Sequence, residues 1–268
     1  PHRTRVEKWK VKTTWLQHLP FKEKLLSPVR FIAPIIFKAI DLTEYDLVIV
    51  SAAGTYTSPN FVKVRPDALH ICYCHTPPRY LYGYPTANPW EDVWWRKILY
   101  FFGQVPMHFL RIWDYQAAQR PDMFIANSKE VASRIEKFYR RDSTVIYPPV
   151  DIPNAKIPIK KEDYYLTGGR LSRHKGQDIA IKACTKLNLP LKVFGAGFAA
   201  YGEKQLRTMA GPTIQFLGEV TDTDKWELMK KAKAFIFPSE KEDFGIVPVE
   251  AMAAGTPVIA LAQGGVLE

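Results

Sequence analysis

Nine short apolar runs alternate with longer stretches of helical character along this chain of 268 residues, and that alternation limits the folds open to it. The runs lie at 46–51, 69–74, 123–127 and 144–147, then, after a gap, at 164–167, 191–194, 214–217, 234–237 and 258–261. Each is short and largely apolar, as expected of strands buried on both faces. Helical stretches fall at 129–140, behind Ser128 as N-cap, and at 177–186, 203–209 and 224–232. Strand and helix in alternation predict an α/β fold with parallel sheets. The interruption at 148–153 opens with Pro148-Pro149, and the lysine-rich 154–163 contains Pro158. A proline pair favours extended chain and stops both kinds of element. Two units are therefore expected, 1–147 and 148–268, in keeping with about 150 residues per domain. Both ends read as incomplete. Residues 1–17 are polar and basic with no opening β-turn-α unit, and 264–268 follow a strand with no helix to cover it, so a piece of a longer chain is expected.

Charge is unevenly placed. The formal net charge is +10, of which +8 is carried through Val150 and +2 beyond it. Such a field attracts polyanions or an anionic membrane leaflet; a merely solvated basic surface explains it equally. Six of the seven tryptophans share that half, four of them within 90–113, where Ile98-Leu99-Tyr100-Phe101-Phe102 stands beside Arg96 and Lys97. This is the composition of an interfacial amphipathic segment, and a buried core helix is the competing reading. The apolar stretch 98–110 is broken by Gly103, Gln104, Pro106 and His108. It is shorter than the roughly 18 to 20 residues of a spanning helix. Three cysteines (Cys72, Cys74, Cys184) are too few for a disulfide framework and point to a reducing compartment. With 47% hydrophobic and 24% charged residues, disordered and collagen-like chains are excluded. No aromatic-basic strand motif of the RNA-binding type occurs, so nucleic acid is not an expected partner. The expectation is a cytoplasmic protein, peripheral on the cytoplasmic face of a membrane; a non-catalytic membrane-binding module stays open as an alternative.

Two constellations can carry chemistry. In the first, the strand at 234–237 ends at Pro238-Ser239, and Glu242-Asp243-Phe244-Gly245-Ile246-Val247-Pro248-Val249-Glu250 leads into a helix with Pro248 in its first turn, where proline is tolerated. Gly255 stands where a helix-terminating glycine belongs. Glu242 then lies on a loop at a strand's carboxyl end and Glu250 within the helix. Free amides near Phe244 to Val247, at the positive end of the helix dipole, suit phosphate or sugar hydroxyls, and ligands of open α/β sheets bind at this edge. In the second, a strand runs into Gly168-Gly169, then Arg170-Leu171-Ser172-Arg173-His174-Lys175-Gly176, then a helix. Glycines let backbone approach a ligand, and Arg and Lys together can hold two oxyanions. The spacing lacks the Gly-Lys-Ser/Thr of a Walker loop, and a diphosphate clamp is the preferred reading. Each has a plain rival: carboxylates that favour a helix start, and a solvated basic turn.

Two further patterns compete for meaning. His70, Cys72 and Cys74 alternate on one strand face, with His75 just beyond, a set that suggests zinc but does not readily close a tetrahedron. Small buried cysteines are the alternative. Gly195-Ala196-Gly197-Phe198-Ala199-Ala200 follows a strand and fits Gly-x-Gly-x-x-Gly/Ala, with Glu219 about 20 residues on, where a dinucleotide domain keeps its ribose acid. That supports an NAD-dependent oxidoreductase, but the pattern follows an earlier β-α unit and leaves Arg170, Lys175 and the paired glutamates without work.

Taken together, Gly169-Arg170-Leu171 closing on Lys175-Gly176, and Glu242-x7-Glu250 with Phe244-Gly245 inside and Ala251-Met252-Ala253 to Ala260 after it, resemble the donor-domain signature of glycosyltransferase family 4. Ile146-Tyr147-Pro148-Pro149-Val150-Asp151 is similar to the family's hinge, and Cys74-His75-Thr76-Pro77-Pro78-Arg79-Tyr80 resembles a loop of its mannosyltransferase-like branch. The resemblance runs from about Tyr45 onward, without the family's opening glycine-rich loop or closing segment. It implies a GT-B architecture, two Rossmann-like domains with parallel sheets facing across a cleft, 1–147 on the acceptor side and 148–268 binding a nucleotide-sugar. It also implies a retaining hexosyl transfer without metal or other cofactor. By motif position Arg170 and Lys175 would neutralise the leaving diphosphate, and Glu250 would accept ribose hydroxyls. Glu242 would contact the sugar beside the backbone of Phe244, Gly245, Ile246 and Val247. Gly218, Glu219 and Val220 would border the base, and His75 would approach the anomeric centre. The donor expected first is GDP-mannose, then a UDP-hexose; the acceptor is a saccharide or lipid-linked saccharide. Leaving-group charge develops on the diphosphate, so fixed cations favour the transition state over the ground state.

Overall fold

A computed structural model describes residues 9–18, 26–84, 94–152, 160–197 and 203–268. In the first half, α1 (Leu26–Ala39), β1 (Leu47–Ala52), β2 (Leu69–Cys74), α2 (Trp94–Ala118), β3 (Met123–Ala126), α3 (Lys129–Tyr139) and β4 (Thr144–Val145) follow in order. The four strands form one sheet, β1-β2-β3-β4, with every neighbouring pair parallel. Its core joins Cys72, Cys74, Phe124 and Ala126 to Val131, Ile135 and Tyr139 of α3, spaced at i, i+4 and i+8 on one helix face. Ser128 caps α3, its Oγ accepting the Val131 N–H at 3.0 Å. Behind this core Asp114 of α2 is buried and accepts hydrogen bonds from the Ser58 N–H, the Tyr82 hydroxyl and the Tyr139 hydroxyl at 2.8, 3.0 and 2.8 Å. Burial outweighs those donors and pushes its carboxyl up to about 6.

The second half comprises β5 (Tyr165–Gly168), α4 (Gln177–Lys186), β6 (Leu191–Phe194), α5 (Glu203–Arg207), β7 (Ile214–Gly218), α6 (Asp222–Lys231), β8 (Phe235–Phe237), α7 (Ile246–Ala253) and β9 (Val258–Ala260). The sheet order is β7-β6-β5-β8-β9, again parallel throughout. Helices α4 and α5 cover one face through Ala180, Ile181, Cys184 and Leu206, and α6 and α7 the other through Trp226, Met229 and Ala251. The chain leaves β5 toward β6 on one side and reaches β8 on the other, so a crevice opens between the carboxyl ends of β5 and β8. The α/β architecture with two parallel sheets is as expected.

Some elements differ from expectation. The fourth run pairs only through Thr144–Val145, because the Ile146 carbonyl accepts the Tyr73 hydroxyl (3.0 Å) and Tyr147 turns out of the sheet to stack on Phe244 at 5.5 Å. Helix α1 and a 3-10 turn at Arg173–Lys175 had no clear sequence signal. The tryptophan-rich segment is helical from Trp94. Helix α2 buries Leu110, Asp114 and Ala117 and exposes Val105, Phe109 and Ile112. Trp90, residues 153–159 of the linker and residues 198–200 of the glycine pattern lie outside the described residues.

Candidate active site

The crevice at β5 and β8 is built by close backbone approach. Gly176, with φ of +68°, lies against the Pro238 carbonyl, and any Cβ there would collide with it. That approach is locked by the Glu240 N–H donating to the His174 carbonyl at 3.1 Å and the Ser239 hydroxyl at 3.3 Å. The turn Arg173–Lys175 is thereby pinned to the loop after β8. Across it Lys175 Nζ meets Glu242 Oε2 at 2.6 Å, and the Ser239 hydroxyl donates to the same oxygen at 2.6 Å. Glu242 is 8% exposed. Burial pushes its carboxyl up, but Lys175, Ser239 and Arg79 together outweigh that and hold it below the usual carboxylate range. Here the two expected constellations become one: a cation and an acid 67 residues apart share a hydrogen bond.

Arg170 lies on the exposed side of the same loop, its carbonyl held by Gln177 Nε2 at 3.1 Å. His174 reports the local field. Burial lowers its pKa most, and Lys175, Arg79 and Arg170 lower it further against the opposing Glu242, to about 4. Three cations from two halves of the chain thus act on one imidazole in the same direction as burial. The start of α7 completes this side: Gly245 takes φ of +93° as N-cap, and Val247 Cγ2 lies 4.0 Å from where a Cβ on Gly169 would stand. The first-turn amides of α7 have no partner within the helix.

From the other half, His75 follows β2. Its N–H donates to the Ala52 carbonyl at 2.9 Å, its Nε2 lies 3.0 Å from Ser51 Oγ, and Tyr73 packs edge-on at 5.0 Å. Burial lowers its pKa, and Asp243 of the loop after β8 opposes that shift. The carboxyl ends of β2 and β3 therefore meet the carboxyl end of β8. Ser128, besides capping α3, donates to the Asp243 carbonyl at 2.5 Å.

Other expected residues are placed apart. Glu250 sits one turn further along α7 and pairs with Lys225 of α6 at 2.9 Å, a partner the sequence did not suggest. Gly218 ends the edge strand β7, and Glu219 and Val220 follow it. Glu219 and Val220 line a groove of about 510 Å³ with Tyr164, Lys192 and Thr221, whose walls include none of Arg170, Lys175, Glu242 or Glu250. The zinc pattern dissolves into core: Cys72 and Cys74 are fully buried free thiols, with burial pushing Cys72 up to about 12. Among the described residues no group of three or more His, Cys, Asp and Glu is placed to hold a metal ion. The glycine pattern has a packing explanation in Gly195, at φ of +118°, where a Cβ would collide with the Gly169 carbonyl. Its first glycine serves the neighbouring strand.

Residues 10–153 match the profile described as Glycosyltransferase Family 4, and residues 151–268 the one described as Glycosyl transferases group 1. The chain belongs to glycosyltransferase family 4. Among curated relatives, the alpha-1,3/1,6-mannosyltransferase ALG2 of Kluyveromyces lactis is 26% identical over 278 residues, covering 85% of this chain and 52% of that protein. The chain spans about half the length of that relative. Among solved structures, sucrose-phosphate synthase from Thermosynechococcus elongatus superposes with a TM-score of 0.59 at 18% identity, over 92% of this chain and 63% of that one. AviGT4, a glycosyltransferase involved in avilamycin A biosynthesis, gives 0.54 at 18% identity, over 91% and 61%. These likenesses show the GT-B fold, two Rossmann-like units with parallel sheets.

Proposed function

We propose that this family 4 chain transfers a hexose, with retention, from a nucleotide-sugar to a saccharide or lipid-linked saccharide. The observation that carries the reading is the Lys175–Glu242 pair in the crevice between β5 and β8, with Arg170 on the same loop as Lys175; His75, at the end of β2 in the other half, is assigned to the reaction by its motif. In the transfer the anomeric C–O bond breaks and its electron pair goes to the diphosphate, whose growing charge Arg170 and Lys175 offset. The acceptor oxygen bonds to the same face of the anomeric carbon, and its proton leaves with the diphosphate. Glu242 orients the sugar hydroxyls, the α7 amides hold phosphate or sugar oxygens, and Glu250 takes the ribose. This scheme uses the protein's own cations and requires no metal or other cofactor. Mannose is favoured by the resemblance of 74–80 and by the mannosyltransferase relative; GDP-mannose ranks before a UDP-hexose.

A donor screen that follows nucleoside diphosphate release tests this. Lys175→Ala is expected to lower turnover by about 10²- to 10³-fold, or roughly 2 to 4 kcal/mol of transition-state stabilisation. Glu250→Ala is expected to weaken donor binding instead. Near-normal turnover in Lys175→Ala, or release from none of the donors, overturns the reading.

A second element of the proposal is a peripheral membrane seat. Helices α1 and α2 pack together and expose Phe31, Ile32 and Ile35 on one, Val105, Phe109 and Ile112 on the other, in the half that carries net +8. An apolar surface within a basic one is what an anionic bilayer attracts.

A further inference from the structure

The loop that carries Glu242 is held from both halves of the chain, and its two sides are treated differently. Glu242 itself turns to Lys175 and Ser239 of its own unit. Its neighbours turn the other way. The Lys241 carbonyl accepts Arg79 Nη2 at 2.9 Å and Arg134 Nη2 at 3.0 Å, and Asp243 Oδ1 accepts Arg79 Nη2 at 2.8 Å and Arg134 Nη1. Lys241 adopts φ of +48°, the left-handed turn that presents its carbonyl to both guanidinium groups. Arg134 is itself rigidly seated: its side chain is 3% exposed, Nε donates to Glu130 at 3.0 Å, Nη1 to Thr76 Oγ1 at 3.1 Å, and its plane lies 4.4 Å from the Tyr84 ring centre.

We infer that Arg134, with Arg79, is a positioning residue for Glu242, clamping the residues on either side of it so that its carboxylate stays aimed into the crevice. Contacts that only glued two units together would have no need to fall on the two residues flanking the sugar-contacting acid. Here the two guanidinium groups spend four hydrogen bonds on one carbonyl and one carboxylate oxygen, 107 to 164 residues away in sequence. A guanidinium fork is the group suited to this, because its planar donors can serve a carbonyl and a carboxylate together. The clamp also couples the units: separating them removes both arginines from the loop. The role rests on the transferase reading of Glu242, whereas the clamp itself is a matter of loop order.

The test uses the full chain and the variants Arg134→Gln, Arg134→Lys and Asp243→Asn. Arg141→Gln is the control, since among the described residues Arg141 donates to the Ala118, Pro121 and Asp122 carbonyls of its own unit. Amide hydrogen exchange at residues 241–247 is expected to quicken at least tenfold in Arg134→Gln and Asp243→Asn and less in Arg134→Lys, while amides of β5 and β6 stay within twofold. Arg141→Gln leaves the loop unchanged. Turnover is expected to fall about 10²-fold, the usual consequence of an ångström-scale misplacement, with the dissociation constant for nucleoside diphosphate within threefold of the parent. Unchanged loop exchange, unchanged turnover, or an equal loss in Arg141→Gln overturns the assignment. If the parent protein turns over no donor, the transferase reading falls, and with it the catalytic meaning of the clamp, while the exchange result still decides whether the clamp exists.

Discussion

Lys175 and Glu242 neutralise each other, so in the proposed transfer an incoming diphosphate would compete with a carboxylate for the ammonium group. Their mutual position is fixed by Ser239 and by the Gly176 approach, which means the cation is already in place before charge develops on a leaving group. His174 stands beside them and gives this field a measurable consequence. An unfolded histidine titrates near 6.5, and here burial, Lys175, Arg79 and Arg170 lower that to about 4. Below pH 6.5 the unfolded chain takes up a proton that the folded one refuses, so stability from this group is complete above 6.5 and is lost as pH falls toward 4. The thermal midpoint is therefore expected to drop between pH 6.5 and 4.5 more steeply in the parent than in His174→Gln. Parallel slopes would show that the imidazole is not in that field. Asp114 has the opposite sign, since its raised carboxyl gives stability that is lost as pH rises through about 6; it is present in both proteins and cancels in the comparison.

At the scale of elements, the strands were legible as short, largely apolar runs, but cover on both faces was not met in the first sheet, where Leu47, Ile49, Leu69 and Met123 are exposed on one face. Ser128 marked a helix start by accepting the N–H three residues on, whereas Thr221, which does the same, was not read, and α6 begins at Asp222 rather than at 224. Helix α1 was not legible: it has no acidic residue in its first turn and holds Pro34 inside, and it exists because Val29, Ala33 and Ile36 pack inward. Of the site, the motif residues could be read, but their partners could not. Lys225 and Ser239 look like ordinary surface residues until the chain is folded, and Arg134 is disguised by a helical pair with Glu130 four residues before it. Glycines separate the two kinds of information cleanly. Gly103 lies inside α2 with open space around it, so Gly103→Ala is expected to stabilise by about 0.5 to 1 kcal/mol through helix propensity. Gly195→Ala forces a side chain into the Gly169 carbonyl at φ of +118°, and a loss above about 4 kcal/mol is expected. Denaturation midpoints moving the same way for both would contradict the packing described.

For the whole molecule, charge and geometry divide the labour. The second half, nearly neutral, holds Arg170, Lys175, Glu242 and Glu250, and its other cations pair mostly with acids of the same half, as Lys225 does with Glu250 and Lys230 with Glu227. The first half carries the excess positive charge and the exposed apolar residues of α1 and α2, and no described helix is long and apolar enough to cross a membrane. If the first half seats on a bilayer, attraction should come mostly from summed charge, with the apolar residues adding short-range hold. Vesicles containing anionic phosphatidylglycerol are then expected to bind the protein, and vesicles of phosphatidylcholine alone to bind it far less. Charge attraction of this kind fades with the Debye length, from about 10 Å at 0.1 M salt to about 3 Å at 1 M, so most binding should be lost over that range. The double variant Phe31→Ser, Phe109→Ser should weaken what survives at high salt without changing the salt dependence. Equal binding to both vesicle types, or binding indifferent to salt, would leave the basic half as a solvated surface and remove the bilayer from the proposal without touching the crevice chemistry.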